Sequence, residues 1–433
     1  MTGPDTTPAR PWAGLDAVVR VLSPESSVRG FPAFLDATRA AGAVGPGEPS
    51  PRPPFADERV ETIHALSAAF LADPVLRQDA ASVAAAYWMR RNQVSRLKAE
   101  FERRVQGETA AVRVPVGRVF HVAPSNVDTL FIYSWAIAFL CGNANVVRLS
   151  LDRGPVVEAM LRAIDRTGRE HAELGERNRF VTYEHDAVAT SAISAWCSHR
   201  VIWGGNETVA ALRSLPLNPH ASERVFGSKF SYSLFAAARY LASKPDVQER
   251  IASGFFNDLF WFDQLACSSP QVIFWVGSEA EWTSAVELFE ENLQREVDRR
   301  GFVTSAEIAV QRRAFAFGLA AGADVEVALH RPGFVGVRVR ESTGLTRETC
   351  GGGLLRHYRL DRPEDLVGFA GESDQTVTHF GFGSELLTAL AAGLGARGVD
   401  RLVPVGEALA FDAVWDGFDL LDDFTRRVRV KPS

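Results

Sequence analysis

Cysteine is scarce in this chain: four among 433 residues, Cys141, Cys197, Cys267 and Cys350, at wide and irregular spacing. That pattern excludes a disulfide scaffold and any CxxC zinc or redox pair, and fits a reducing compartment. A basic excess is also lacking. Forty-seven Lys+Arg face 53 Asp+Glu, a net charge of −6, so nothing is available to neutralise a phosphate backbone and no nucleic-acid partner is expected. Long apolar runs are missing too. The longest, Leu130 to Cys141, falls short of the ~20 residues that cross a bilayer and reads as a buried helix, so no membrane span is expected. The opening Met1-Thr2-Gly3-Pro4-Asp5 has neither the basic start nor the apolar core of a secretory signal, and a cytoplasmic location is expected. The nine histidines contain no HExxH and no close pair, so no metal site is expected.

What is present is ordinary globular composition, 46% hydrophobic and 10% aromatic, with length enough for two or three domains. Proline is concentrated at the start: ten of 22 lie in the first 54 residues. Each removes a backbone donor and restrains its neighbour, so residues 1–56 are expected to be mostly irregular. Beyond Asp57, Ile63, Leu66, Phe70 and Leu71 recur at helical spacing, as do Val83, Tyr87, Val94, Leu97 and Phe101. They predict two amphipathic helices separated near Asp73-Pro74-Val75, with Arg90, Arg91, Arg96 and Lys98 on a solvated side. From Val112 to Phe235, strand-like runs (Val119–Val122, Ala144–Leu149, Phe180–Tyr183, Arg200–Trp203) alternate with helical ones (Thr129–Leu140, Val156–Thr167, Ala187–Cys197). This is the rhythm of a doubly wound α/β sheet. A second unit is expected after Ser253, with a strand at Gln271–Val276 and a long helix from Glu279 to about Arg299. The division expected is an irregular segment 1–56, a helical lead-in and cofactor domain 57–235, a catalytic domain 236–390 and a C-terminal segment 391–433.

Several motifs carry candidate chemistry. Gly393-Leu394-Gly395-Ala396-Arg397-Gly398 has GxGxxG spacing, but a helix precedes it and a strand follows, the reverse of a dinucleotide fingerprint. Val201-Ile202-Trp203-Gly204-Gly205-Asn206 is better placed. A strand runs into two glycines and a helix opens behind them, where backbone N–H groups and a helix dipole suit a diphosphate; a plain tight turn is the competing reading. Asn126 follows the strand ending at Val122, and Arg148 ends the next one, both at the sheet edge where open α/β folds take ligands. Asparagine there is more often a turn or cap residue, and arginine a surface ion pair, but Arg148 could also grip a ribose phosphate. Among the thiols, Cys141 and Cys197 sit in apolar surroundings and read as core. Cys267 lies among small polar residues just before a strand and suits an accessible thiol, and Cys350, before three glycines, competes with it.

Together, Ala123-Pro124-Ser125-Asn126, the Gly142–Ser150 stretch, Asp263–Gln271 around Cys267, and the ending Val403-Pro404-Val405-Gly406, Phe411 and Val414-Trp415-Asp416-Gly417 resemble the acyl-CoA reductase family of LuxC type, a branch of the aldehyde dehydrogenase superfamily. The resemblance implies an aldehyde-dehydrogenase-like α/β fold, with a Rossmann-type cofactor domain and an α/β catalytic domain. It implies NADPH-dependent reduction of an acyl-CoA or acyl-carrier thioester to an aldehyde. In that reading Cys267 is the acylated thiol and Asn126 holds the substrate oxygen. Arg148, Ser150, Gly204, Gly205 and Asn206 line the NADPH site. Val225 stands where oxidising relatives carry a glutamate base, which favours reduction. An acyl-activating partner protein and a homo-oligomer are the assemblies expected. An acyltransferase or thioesterase using the same acyl-cysteine, and a non-catalytic subunit of an acyl-activating complex, are the alternatives.

Overall fold

The computed structural model describes residues 11–12, 14–24, 30–40, 52–108, 110–124, 129–322, 325–340 and 345–431. The chain divides into two compact units, residues 1–227 with 418–433, and residues 228–417.

In the first unit, β1 (Arg20–Ser23) and α1 (Phe31–Ala40) come from the proline-rich start; α2 (Asp57–Ala72), α3 (Ala80–Trp88) and α4 (Arg91–Gly107) follow. Then come β2 (Ala111–Pro115), β3 (Arg118–Val122), α5 (Leu130–Leu140), β4 (Ala144–Arg148), α6 (Pro155–Glu170), α7 (Ala172–Arg177) and β5 (Asn178–Thr182). The elements α8 (Ala187–Trp196), β6 (His199–Trp203), α9 (Asn206–Arg213) and β7 (Ser222–Phe226) complete the alternation. The six-stranded sheet has the order β1-β5-β4-β3-β6-β7, parallel except for β1, which pairs antiparallel with β5. β2 stands apart, paired with the C-terminal strand Thr425–Arg429.

One expectation is refined here and one is corrected. The proline-rich start, expected to be mostly irregular, carries β1 and α1 among its described residues. Trp12, Phe31, Phe34 and Leu35 are buried and pack in one core with Trp196 and Ile193. Pro32 is tolerated because it is the second residue of α1, where a backbone N–H has no partner within the helix. The region 57–107 holds three helices, not two. Met89 ends α3 and Arg90, with ψ 145°, starts α4, and neither Gly nor Pro marks the break.

α5 (LFIYSWAIAFL) is buried at every residue from Phe131 to Leu140, as a helix that is apolar all round must be. The polar residues beside it are structural. His121 Nδ1 bonds Ser134 and its Nε2 meets Asn145 Oδ1 at 3.2 Å. Asn145 and Trp135 both donate to Asn178 Oδ1. Burial drives the His121 pKa down to about 3, so the ring is neutral.

The second unit has a seven-stranded sheet, β10-β11-β12-β9-β8-β13-β14 in spatial order. In chain order it runs β8 (Phe230–Ala236), α10 (Ala237–Leu241), α11 (Pro245–Phe260), β9 (Pro270–Val276), α12 (Glu279–Arg300), α13 (Ala306–Gly322) and β10 (Val325–His330). It continues through β11 (Val335–Val339), β12 (Leu354–Leu360), β13 (Asp374–Phe380), α14 (Ser384–Gly395) and β14 (Arg401–Pro404). Only β10 is antiparallel to its neighbour. β9 (PQVIFWV) reads as an apolar run, as a strand buried on both faces should, whereas β8, β12 and β13 carry buried polar residues such as Ser231, Arg356 and Gln375. α12 starts on a Ser278–Glu281 capping box and stops at Gly301 in the left-handed conformation. Ser253, the expected start of this unit, lies in the middle of α11. β8, which ends at the expected 235/236 boundary, belongs to this sheet. The GxGxxG glycines terminate α14, and β14 follows them.

Candidate active site

Cys267 sits in the turn between α11 and β9. The chain reverses there through two successive left-handed residues, Asp263 (φ 49°) and Gln264 (φ 61°), conformations that cost a non-glycine residue about 1–2 kcal/mol each. Gln264 is fully buried and offsets that cost. Its backbone N–H donates to Leu259 O at 2.7 Å. Its side-chain amide donates to Pro270 O and Leu354 O, both 2.9 Å, and accepts from the Gly353 and Leu354 N–H groups at 3.0 and 3.1 Å. Ser231 on β8 donates to the Cys267 carbonyl at 2.7 Å and accepts from Thr376 N–H at 3.1 Å. The thiol is therefore held from three strands.

Cys267 is half-buried as a residue, less open than its polar neighbours in sequence suggest. Gln375 Nε2 donates to Sγ at 3.4 Å. Burial pushes the Cys267 thiol up to about 11, and the Asp416 carboxylate beside it acts the same way. The Gln375 amide, Arg401 and the Ser268 backbone N–H oppose them. The competing Cys350 is also half-buried and packs against the apolar cluster of this unit. Its Sγ donates weakly to Gly351 O at 3.5 Å. Cys141 and Cys197 are buried, and burial pushes the Cys197 thiol up to about 12.

The cofactor candidates lie in the first unit. From β3 the chain winds outward through β4 and β5, then crosses back to β6 and β7 on the other side. The carboxyl ends of β3 and β6 thus flank a topological switch point, the crevice in which open α/β sheets bind ligands. Gly204 is half-buried there, and Gly205 and Asn206 are exposed. Gly205 is the N-cap of α9 with no side-chain cap bond. Arg148 is half-buried at the end of β4, over the Tyr183 ring at 5.0 Å, and its buried Nε has no partner among the described residues. Ser150 is half-buried two residues on, and its carbonyl accepts from Arg153 at 2.6 Å. Asn126 lies outside the described residues. Val225 is in β7, in register with Ile202. Among the described residues no cluster of His, Cys, Asp and Glu could hold a metal, and no helix is long and apolar enough to cross a membrane.

Sequence reasoning missed Gln264, Ser231 and Gln375. One signal was available for the last: Asp374, Gln375, Thr376 and Thr378 are polar residues of a single strand, all buried.

The fold is that of aldehyde dehydrogenases. The enzyme of that name from Brucella melitensis matches 92% of this chain and 88% of its own, with a TM-score of 0.65 at 12% identity. The glyceraldehyde-3-phosphate dehydrogenase GapN from Methanocaldococcus jannaschii, solved with NADP, matches 92% of each chain with a TM-score of 0.61 at 12% identity. Within that class, the family model for acyl-CoA reductase (LuxC) matches residues 89–321, more than half the chain, and the protein belongs to that family. The long-chain acyl-protein thioester reductase of Vibrio harveyi is 25% identical over 313 residues, 70% of this chain. The match spans 61% of that relative's length.

Proposed function

We propose that this chain reduces an acyl thioester to an aldehyde through an acyl group carried on Cys267, with NADPH as the reductant. The observation that carries the reading is the side-chain amide donor aimed at the sulfur of the half-buried Cys267, in a chain of this family. Cys267 as thiolate adds to the thioester carbonyl carbon. The carbon–sulfur bond to the carrier then breaks, and the carrier leaves as a thiol after taking one proton. Asn126 and the Cys267 backbone N–H are the proposed oxyanion donors. The latter makes no backbone hydrogen bond among the described residues, and loss of one such donor typically costs about 3–4 kcal/mol.

The residues of the first unit fit a dinucleotide: glycines at the switch point, a helix start with no side-chain cap, and a buried Arg148 Nε with no partner among the described residues. In this proposal Gly204, Gly205 and Asn206 hold the diphosphate, and Ser150 lies beside Arg148, which holds the ribose phosphate. When bound, a reduced nicotinamide supplies the hydride that brings the acyl carbon to the aldehyde level. Cys267 then leaves as thiolate, ready for another turnover. No water needs activation, which agrees with Val225 in place of a carboxylate. The acyl donor is a CoA or carrier-protein thioester, delivered in the second case by an acyl-activating partner.

The test follows thiol release, NADPH consumption and aldehyde together, using long-chain acyl-CoA as the donor. Equal amounts of all three are expected. Thiol release with no NADPH consumed would instead make the chain an acyltransferase or thioesterase, and no thiol release at all would point to a non-catalytic subunit.

A further inference from the structure

The Trp415-Asp416-Gly417 turn has no part in the mechanism above, yet it places a carboxylate against the residue that touches the sulfur. Asp416 is left-handed (φ 48°) and so is Gly417 (φ 73°). A Cβ on Gly417 would meet Asp400 Oδ1 at 2.7 Å, so the turn requires glycine there. Its outcome is a close contact between Gln375 Nε2 and Asp416 Oδ1. The same nitrogen donates to Cys267 Sγ at 3.4 Å. A primary amide has two N–H bonds, and here the carboxylate takes one and the sulfur the other. The orientation follows from chemistry: a carboxylate only accepts, and Gln375 Oε1 in turn accepts from the Thr376 hydroxyl at 3.4 Å.

Asp416 is 6% exposed, and burial pushes its carboxyl up to about 6. The charged groups around it are Cys267, Lys229, Asp400 and Arg401. Neither cation pairs with it directly. Lys229 bonds Asp400 Oδ2 and Asp374 O, and Arg401 is used on the carbonyls of Glu407, Ala408 and Ala410. A carboxylate buried for the sake of one amide contact is costly, and left-handed non-glycine residues of this kind gather at functional sites.

We infer that Gln375 is a catalytic residue of this site, donating an N–H to the Cys267 sulfur, and that Asp416 is a positioning residue which aims that N–H. The inference rests on the reading that Cys267 is the acylated thiol. The two side chains act on the sulfur in opposite senses. The amide favours the thiolate, both when it attacks and when it is expelled with the aldehyde. The negative charge of Asp416 disfavours it, so Asp416 serves by holding the amide and not by activating the thiol.

This opposition supplies the test. In the full chain carrying Cys350→Ser, alkylation of Cys267 by iodoacetamide is followed against pH by intact mass and peptide mapping. Gln375→Met keeps the bulk and removes the donor; it is expected to shift the profile to higher pH and slow alkylation about tenfold at neutral pH. Asp416→Asn still accepts from the amide but loses the charge, so its profile is expected to shift to lower pH and its alkylation to quicken. Residues that only support the fold would lower the unfolding midpoint and leave both profiles in place. Superimposed profiles, or shifts in the same direction, overturn the inference. Should Gln375→Met not fold, Gln375→Leu, which likewise lacks the donor, supplies the profile in its place. Acylation of the unaltered chain is a separate measurement. Its failure would remove the acyl-cysteine reading without touching these profiles, and unchanged profiles beside normal acylation would remove only the inference.

Discussion

The two half-buried cysteines of the second unit make an instructive pair. Electrostatics alone would favour Cys350: the buried guanidinium groups of Arg356 and Arg312 pull its pKa down against burial, whereas the charge of Asp416 pushes that of Cys267 up. Local bonding reverses the order. The Cys267 turn is fixed by Gln264 and Ser231, and its sulfur receives an amide N–H. Cys350 precedes three glycines that are all left-handed (φ 65°, 65° and 85°), and its sulfur lies against apolar side chains. A nucleophile needs a fixed position and a donor more than it needs the nearest positive charge. The family match, residues 89–321, contains Cys267 and stops before Cys350.

The sharpest way to break this contrast is to remove each sulfur in turn. Cys267→Ser is expected to abolish aldehyde formation while leaving NADPH binding intact, and Cys350→Ser to retain most of the activity, measured by NADPH oxidation with acyl-CoA. A second blow falls on what the two loops share. The Gln264 amide ties the Cys267 turn to Gly353 and Leu354, directly after the Cys350 loop. Gln264→Ala strands buried N–H and C=O groups and is expected to cost about 3 kcal/mol of stability, read as a lower urea midpoint.

The pH dependence sharpens the contrast further. With the Cys267 thiol held at about 11, its thiolate fraction rises with pH through the neutral range. Single-turnover acylation should therefore quicken about tenfold per pH unit there, and a plateau below that range would show a thiol already ionised. The smallest effect is expected outside both loops. Arg148→Ala should weaken NADPH about tenfold and NADH less, by fluorescence titration; equal losses would remove the phosphate contact.

Much of this was legible from the sequence. The parallel strands β3 to β6 stand out because burial on both faces gives each an apolar stretch, whereas β7, polar and only partly buried, is not announced by the sequence. Cys267 stands out because small polar neighbours beside a strand are unusual for a core thiol. β1 and α1 were hidden because proline content argues for irregular chain, whereas Pro32 occupies a place in the first turn of α1 that needs no donor. The break at Met89-Arg90 carries no Gly or Pro to announce it. Gln375 was missed for a different reason. It lies 108 residues from Cys267, and only the adjacency of β8 and β13 brings them together.

The most direct test of the central claim is to find where the acyl group resides. The unaltered chain is incubated with a long-chain acyl-CoA without nicotinamide, quenched in acid, digested, and its acylated peptide identified by tandem mass spectrometry. The account predicts one acyl group, on the peptide containing Cys267. An acyl group on the Cys350 peptide, or none on any cysteine, would contradict it.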